Sequence, residues 1–185
     1  MRFTTLATLM GVALATMTAP AEAAWKSYVS RGLGFSFEAP GEIKTEKGTY
    51  SGKLAGRHDA IVYRSVDDNI EYKVTVVDFT SRAKEETALL AEASSMFRED
   101  KKVLMDMEAR VESSYGRKMT IDNPNNGGRS TMAFLFNNGH LIQLQGTVLP
   151  ANGDYQTPEL GRFIDSLAFV AARVEPGATE LALPK

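Results

Sequence analysis

The chain has 185 residues, a mass of 20.2 kDa, a formal charge of −2 and no cysteine. Those figures fit one globular domain with small extras, and they exclude a disulfide framework, a thiolate-ligated zinc or iron–sulfur centre, a catalytic thiol and a lipid-modified cysteine. With 21 basic and 23 acidic residues there is no global field to draw in nucleic acid or an anionic membrane, while 43% apolar residues supply a core.

Met1 and Arg2 form a basic tip, and Phe3 to Met17 is uncharged and apolar apart from threonines and Gly11. Pro20 and Ala21-Glu22-Ala23 follow, with small residues at the −3 and −1 positions of a cut after Ala23. This is the pattern of an export signal; the run is shorter than the ~20 residues of a spanning helix. Ala21, Ala23 and Ala24 therefore mark the expected cleavage site, with a cut after Ala21 as the alternative. The mature chain, expected in the bacterial periplasm, keeps roughly 160 residues, enough for a core without crosslinks.

Trp25–Val29 and Phe35–Phe37 alternate around the turn Arg31-Gly32-Leu33-Gly34, giving two short opening strands. Residues 41–57 are polar and glycine-rich, and read as a loop or a frayed strand. Ala60–Val66 is β-branched and aromatic, and Ile70, Tyr72, Val74 and Val76 alternate with Glu71, Lys73 and Thr75. Asp67-Asp68-Asn69 between them is turn chemistry, so the pair reads as an antiparallel hairpin.

From Ser81 to Lys101 there is no proline or glycine, and Leu89, Ala93, Met96 and Phe97 recur three to four apart. That spacing predicts an amphipathic helix, with Thr80 or Ser81 as its N-cap. Met107–Val111 and Tyr115–Ile121 follow as strands, and Asn123–Gly128 as a loop. Arg129–Phe136 and Leu141–Val148 flank Asn138-Gly139, the strongest short-range hairpin signal in the chain. Thr157-Pro158 then caps a second helix whose stripe is Leu160, Phe163, Ile164 and Leu167. The expected organisation is a signal peptide over 1–23, one domain over 24–170 and a disordered tail over 171–185.

The catalytic inventory is thin. Of the two histidines, His140 follows the Asn-Gly turn, where an exposed polar residue belongs. His58 neighbours Asp59, but sequence neighbours on a strand face opposite ways. No G-x-S-x-G elbow exposes a serine, and two histidines without cysteine make no standard zinc site. Asp67-Asp68-Asn69 lacks the spacing of a calcium loop, Gly32-Leu33-Gly34 lacks a third glycine, and Asn126-Gly127-Gly128-Arg129 lacks a phosphate-binding lysine. Arg110, Arg117, Lys118 and Arg129 mix with acids instead of forming a basic stripe, which argues against nucleic acid. Phe134, Phe136 and Leu144 form an apolar cluster that reads as core, with a ligand pocket as the alternative. No catalytic, cofactor-binding or metal-ligating residue is assigned.

Gly34-Phe35-Ser36-Phe37-Glu38-Ala39-Pro40 resembles the opening G-F-x-F-x-x-P of PsbP-like proteins and their Mog-type and DcrB-like relatives, and Phe163–Phe169 resembles their closing F-x-x-S-x-x-F. The element order over residues 25–170 is similar too. The resemblance implies an α+β fold, an α/β/α sandwich with a mainly antiparallel sheet flanked by two helices, serving as a binding or assembly module without shared catalytic residues. Together with the signal, this makes the expectation an exported, non-catalytic module that binds a protein or envelope component. The alternatives are a small-molecule or lipid carrier and a hydrolase without a recognisable motif.

Overall fold

The computed structural model describes residues 24–149, 155, 157–169 and 177–184, and the expected signal segment 1–23 lies outside them. Strands β1 (Trp25–Ser30) and β2 (Phe35–Pro40) form the opening hairpin. Gly34, at φ 73°, ends its turn with its N–H donated to Ser30 O at 2.8 Å. The segment read as loop or frayed strand is instead a nine-residue strand, β3 (Lys44–Gly52), paired along its whole length with β4 (Gly56–Asp67). Its alternation is faint because it is an edge strand in which only Tyr50 is buried.

β5 (Ile70–Asp78) completes the expected hairpin across Asp68 and Asn69, Asp68 taking φ 51°. The helix starts later than its capping residues suggest. A 3₁₀ segment covers Thr80–Glu85 and α1 covers Glu86–Arg98, with Glu85 at the N-cap and no side-chain cap bond. The Asp78 carboxylate takes the Thr80 N–H and hydroxyl instead, at 2.8 and 2.7 Å, which holds Thr80 in a turn. Leu89, Ala93, Ser94 and Phe97 are the buried face of α1, whereas Met96 is partly exposed.

β6 (Lys102–Val111) and β7 (Ser114–Asp122) follow, then β8 (Arg129–Asn137) and β9 (His140–Val148). Asn138 and Gly139 take φ 50° and 80°, the two positive values of a type I′ turn. A Cβ on Gly139 would come within 2.7 Å of Thr80 Cα, so packing against the 3₁₀ segment requires glycine there as well. α2 (Pro158–Asp165) is capped by Thr157, whose hydroxyl accepts from Leu160 N at 3.4 Å.

The result is a seven-stranded antiparallel sheet in the order β3-β4-β5-β9-β8-β7-β6, with two α-helices among the described residues. Two cores form on it, and β5 shows why: Val74 and Val76 belong to one, Val77 to the other, because successive side chains point to opposite faces. One core takes Leu89, Ala93 and Phe97 of α1. The other takes Leu160, Phe163 and Ile164 of α2 together with Tyr28, Phe35 and Phe37 of the opening hairpin.

That second side carries an element the expected scheme did not contain, a small four-stranded sheet in the order β10-β2-β1-β11. Its outer strands are β10 (Ala168–Phe169) and β11 (Thr179–Glu180), and β11 runs parallel to β1. The expected disordered tail is therefore corrected for its described part. Leu181 is buried and donates its N–H to Val29 O at 2.8 Å, and Glu180 pairs with Arg31. Burial of one leucine and a two-residue ladder carry no periodicity that a sequence reading can detect.

Candidate functional site

Most residues singled out in the sequence are placed structurally. His58 is half-buried at the margin of the α1-side core, with its ring edge-on to Phe79 at 4.5 Å and Nε2 bonded to Ala55 O at 3.1 Å. Arg117 pairs with Asp106, Lys118 with Asp165 at 2.7 Å and Arg129 with Asp122 at 2.8 Å, while Arg110 Nε donates to Glu112 O at 2.7 Å. The supposed cluster of Phe134, Phe136 and Leu144 is split. Leu144 stands opposite Ala133, so it shares a face with Ala133 and belongs to the α2-side core, whereas both phenylalanines belong to the α1 side. The apolar-pocket alternative loses its lining for that reason.

Two features of the surface were not legible in the sequence. The first is the edge formed by β6 and the start of β7. Val103, Leu104, Met107 and Tyr115 are 39%, 40%, 51% and 60% exposed, four large apolar side chains on one edge of the sheet. They are spread over both faces of the edge: Val103, opposite Ile121, and Tyr115 face the α1 side, whereas Met107, opposite Lys118, faces the α2 side. Among the described residues β6 pairs only with β7, which leaves the backbone groups of its other side open to a partner, and a bulge at Leu104 interrupts its register. Bulges and charged residues of the kind at Lys102, Asp106, Glu108 and Arg110 protect an edge from indiscriminate pairing.

Beside this edge lies a groove of about 530 Å³ between Leu90, Ala91 and Ser94 of α1 and Tyr115 and Gly116 of β7. Its charged rim is organised by Asp106, which receives Arg117 at 2.6 Å and Arg98 at 3.7 Å. Arg110 lies over the Tyr115 ring at 5.1 Å. Covering one half-exposed side chain of this size is worth on the order of 1 kcal/mol.

The second feature is a pocket of about 470 Å³ at the opposite side of the large sheet. Asp59, Asp78 and His140 come from β4, β5 and β9, and line it with Lys47, Leu33 and Leu183. Asp78 and His140 are directly opposed in the ladder, and Asp59 follows the Ala60–Val77 pair. The paired His58 and Asp59 of the sequence are thus parted across the sheet, and Asp59 meets the other histidine instead. The two hydrogen bonds from Thr80 hold the Asp78 carboxyl below its ordinary value. His140 Nδ1 is buried with no hydrogen-bond partner among the described residues. Neither histidine is hydrogen-bonded to a hydroxyl or a carboxylate there, so the geometry offers binding groups and no activated nucleophile.

Among the described residues no group of three or more His, Asp or Glu side chains is placed to hold a metal ion, and no helix is long and apolar enough to cross a membrane.

No protein-family model matches the chain, and no curated protein sequence matches it. A solved structure does. The solution structure of cyanobacterial PsbP (CyanoP) from Synechocystis sp. PCC 6803 superposes with a TM-score of 0.55 at 12% sequence identity, over 84% of this chain and 98% of that one. At that identity the likeness defines a fold class: the chain has a PsbP-like fold, an antiparallel sheet with two helices.

Proposed function

We propose that this is an exported, non-catalytic binding module, acting in the bacterial periplasm, which engages a protein of the envelope through the β6–β7 edge. The single observation that carries the reading is the open side of β6 among the described residues, an edge strand that leaves Val103, Leu104 and Met107 exposed. An extended segment of the partner would add to β6 by backbone hydrogen bonds, and the exposed side chains would supply the apolar contact. The PsbP-like fold supports a non-enzymatic reading, and the N-terminal pattern Ala21-Glu22-Ala23 supports export with a mature start at Ala24.

The test is crosslinking in the native envelope with the full chain, comparing the parent protein with Met107→Lys. One enriched partner that the substitution removes is the expected result. A clean monomer in both would overturn the reading. N-terminal sequencing of the exported protein should begin at Ala24.

A second reading, a small-molecule carrier, is favoured by the pocket at Asp59, Asp78 and His140. Native mass spectrometry of protein purified from its host would show a co-purified ligand, displaced by Ile61→Trp at the pocket wall.

A further inference from the structure

The register of the large sheet creates a charge pattern that no stretch of sequence contains. Lys44 on β3 stands directly opposite Arg64 on β4, and Arg64 directly opposite Lys73 on β5. Gln145 on β9 continues the line. Directly opposed residues share a face, so three cations form one row across three neighbouring strands, on the α1 side where Ala60 also points. With strands about 4.8 Å apart the row spans roughly 10 Å.

Such a row is unfavourable by itself, because like charges facing each other across a ladder repel. Local compensation is partial, because Glu71 on the same face of β5 acts on both Arg64 and Lys73. Arg64 Nε reaches Glu71 Oε1 at 3.3 Å, yet neither Lys44 nor Lys73 has an ion-pair partner among the described residues. The remaining charges nearby are Glu46, on the same face of β3, and Lys101, whose ammonium is bonded to Phe97 O at 2.8 Å and lies 5.3 Å from the Phe97 ring centroid. Lys73 is partly buried, and burial pushes its ammonium below the ordinary lysine value.

From this geometry we propose that Lys44, Arg64 and Lys73 form a binding site for linked or closely spaced phosphate groups. Lysines act there as point charges and the arginine as a planar fork, the two usual ways of holding phosphate oxygens. A ligand with two or three phosphoryl groups in line would reach along the row and relieve its repulsion. The inference goes beyond the protein-binding reading and is independent of it: the row crosses β3, β4 and β5, and the β6 edge is at the other end of the sheet.

The experiment titrates the full chain with inorganic tripolyphosphate at low ionic strength, by calorimetry, and with vesicles of phosphatidylglycerol by sedimentation. Saturable tripolyphosphate binding should weaken by about tenfold in Lys44→Gln and in Lys73→Gln, and stay within about twofold in Lys47→Gln, which lies on the opposite face of β3. Without ligand, Lys73→Gln should melt no lower than the parent chain, which a merely structural lysine would not allow. Vesicle binding abolished by the same substitutions would identify lipid headgroups as the phosphate source. Tripolyphosphate binding without vesicle binding would identify a free one. No saturable binding to either probe, equal weakening by Lys47→Gln, or a lowered melting temperature for Lys73→Gln would overturn the proposal.

Discussion

Glu92 and Ala55 tie the helix to the tip of the β3–β4 hairpin: the Glu92 carboxylate accepts the Ala55 N–H at 3.0 Å, and also takes the Leu54 N–H. A Cβ on Gly52 would collide with the same carboxylate, so the tip is built to admit it. Arg82 completes the clasp by donating to the Leu54 and Ala55 carbonyls at 3.2 and 3.0 Å. Glu92→Ala leaves two amides of the tip unpaired and should cost about 1–3 kcal/mol. Chemical denaturation would measure the loss, and amide exchange at Leu54 and Ala55 should accelerate more than exchange in β8.

Phe163 joins the two sheets and α2. Its ring meets Phe37 edge-on at 6.1 Å and Tyr72 at 5.2 Å, and it is fully buried. Phe163→Ala should lower stability by about 3–5 kcal/mol, since the cavity lies between rigid sheets that cannot collapse into it. Equilibrium unfolding in denaturant would read this, with Phe163→Leu expected to retain most of the stability.

Leu181 closes the small sheet from the C-terminal side. Leu181→Ala should cost about 2 kcal/mol, and amide exchange of Val29 and Leu181 should report loosening of β11. A truly disordered tail would show no such effect, so a proton-exchange comparison distinguishes the two.

Tyr50 contributes to the alkaline limb of stability together with Tyr28, Tyr63 and Tyr72, whose phenols burial also pushes up. Its phenol is buried beside Phe79 and near Glu92, and burial first, then the Glu92 charge, raises its pKa from 10.0 to about 12. A raised pKa means the folded state holds the proton longer, so this stability is complete below pH 10.0 and is lost as pH rises towards about 12. The hydroxyl has no hydrogen-bond partner among the described residues. Tyr50→Phe should therefore melt no lower than the parent at neutral pH, and fall less steeply across that window. Melting curves taken at intervals of pH would check both halves.

Local signals in the sequence translated directly into structure where a few adjacent residues decide the outcome. Asn138-Gly139 made its turn, and of the stripe Leu160, Phe163 and Ile164 became the buried face of α2, with Leu167 buried two residues beyond its end. What was not legible depends on register and on distant contacts. The strand character of Lys44–Gly52 comes from its partner β4, and that of Thr179–Glu180 from β1. The meeting of Asp59, Asp78 and His140 requires three strands to align, as does the row of Lys44, Arg64 and Lys73. The basic residues considered from the sequence, Arg110, Arg117, Lys118 and Arg129, are drawn into ion pairs or backbone bonds. The exposed edge was hidden because Val103, Leu104, Met107 and Tyr115 look like core residues until their outer neighbour proves absent.

Use of the β6–β7 edge can be tested directly by placing a photo-crosslinking residue at Met107 in the host cell. Val66, 61% exposed on β4, serves as the control. The expected result is one predominant protein adduct from position 107 and none from position 66. Monomer alone from position 107, or the same adducts from both positions, would contradict a binding role for this edge.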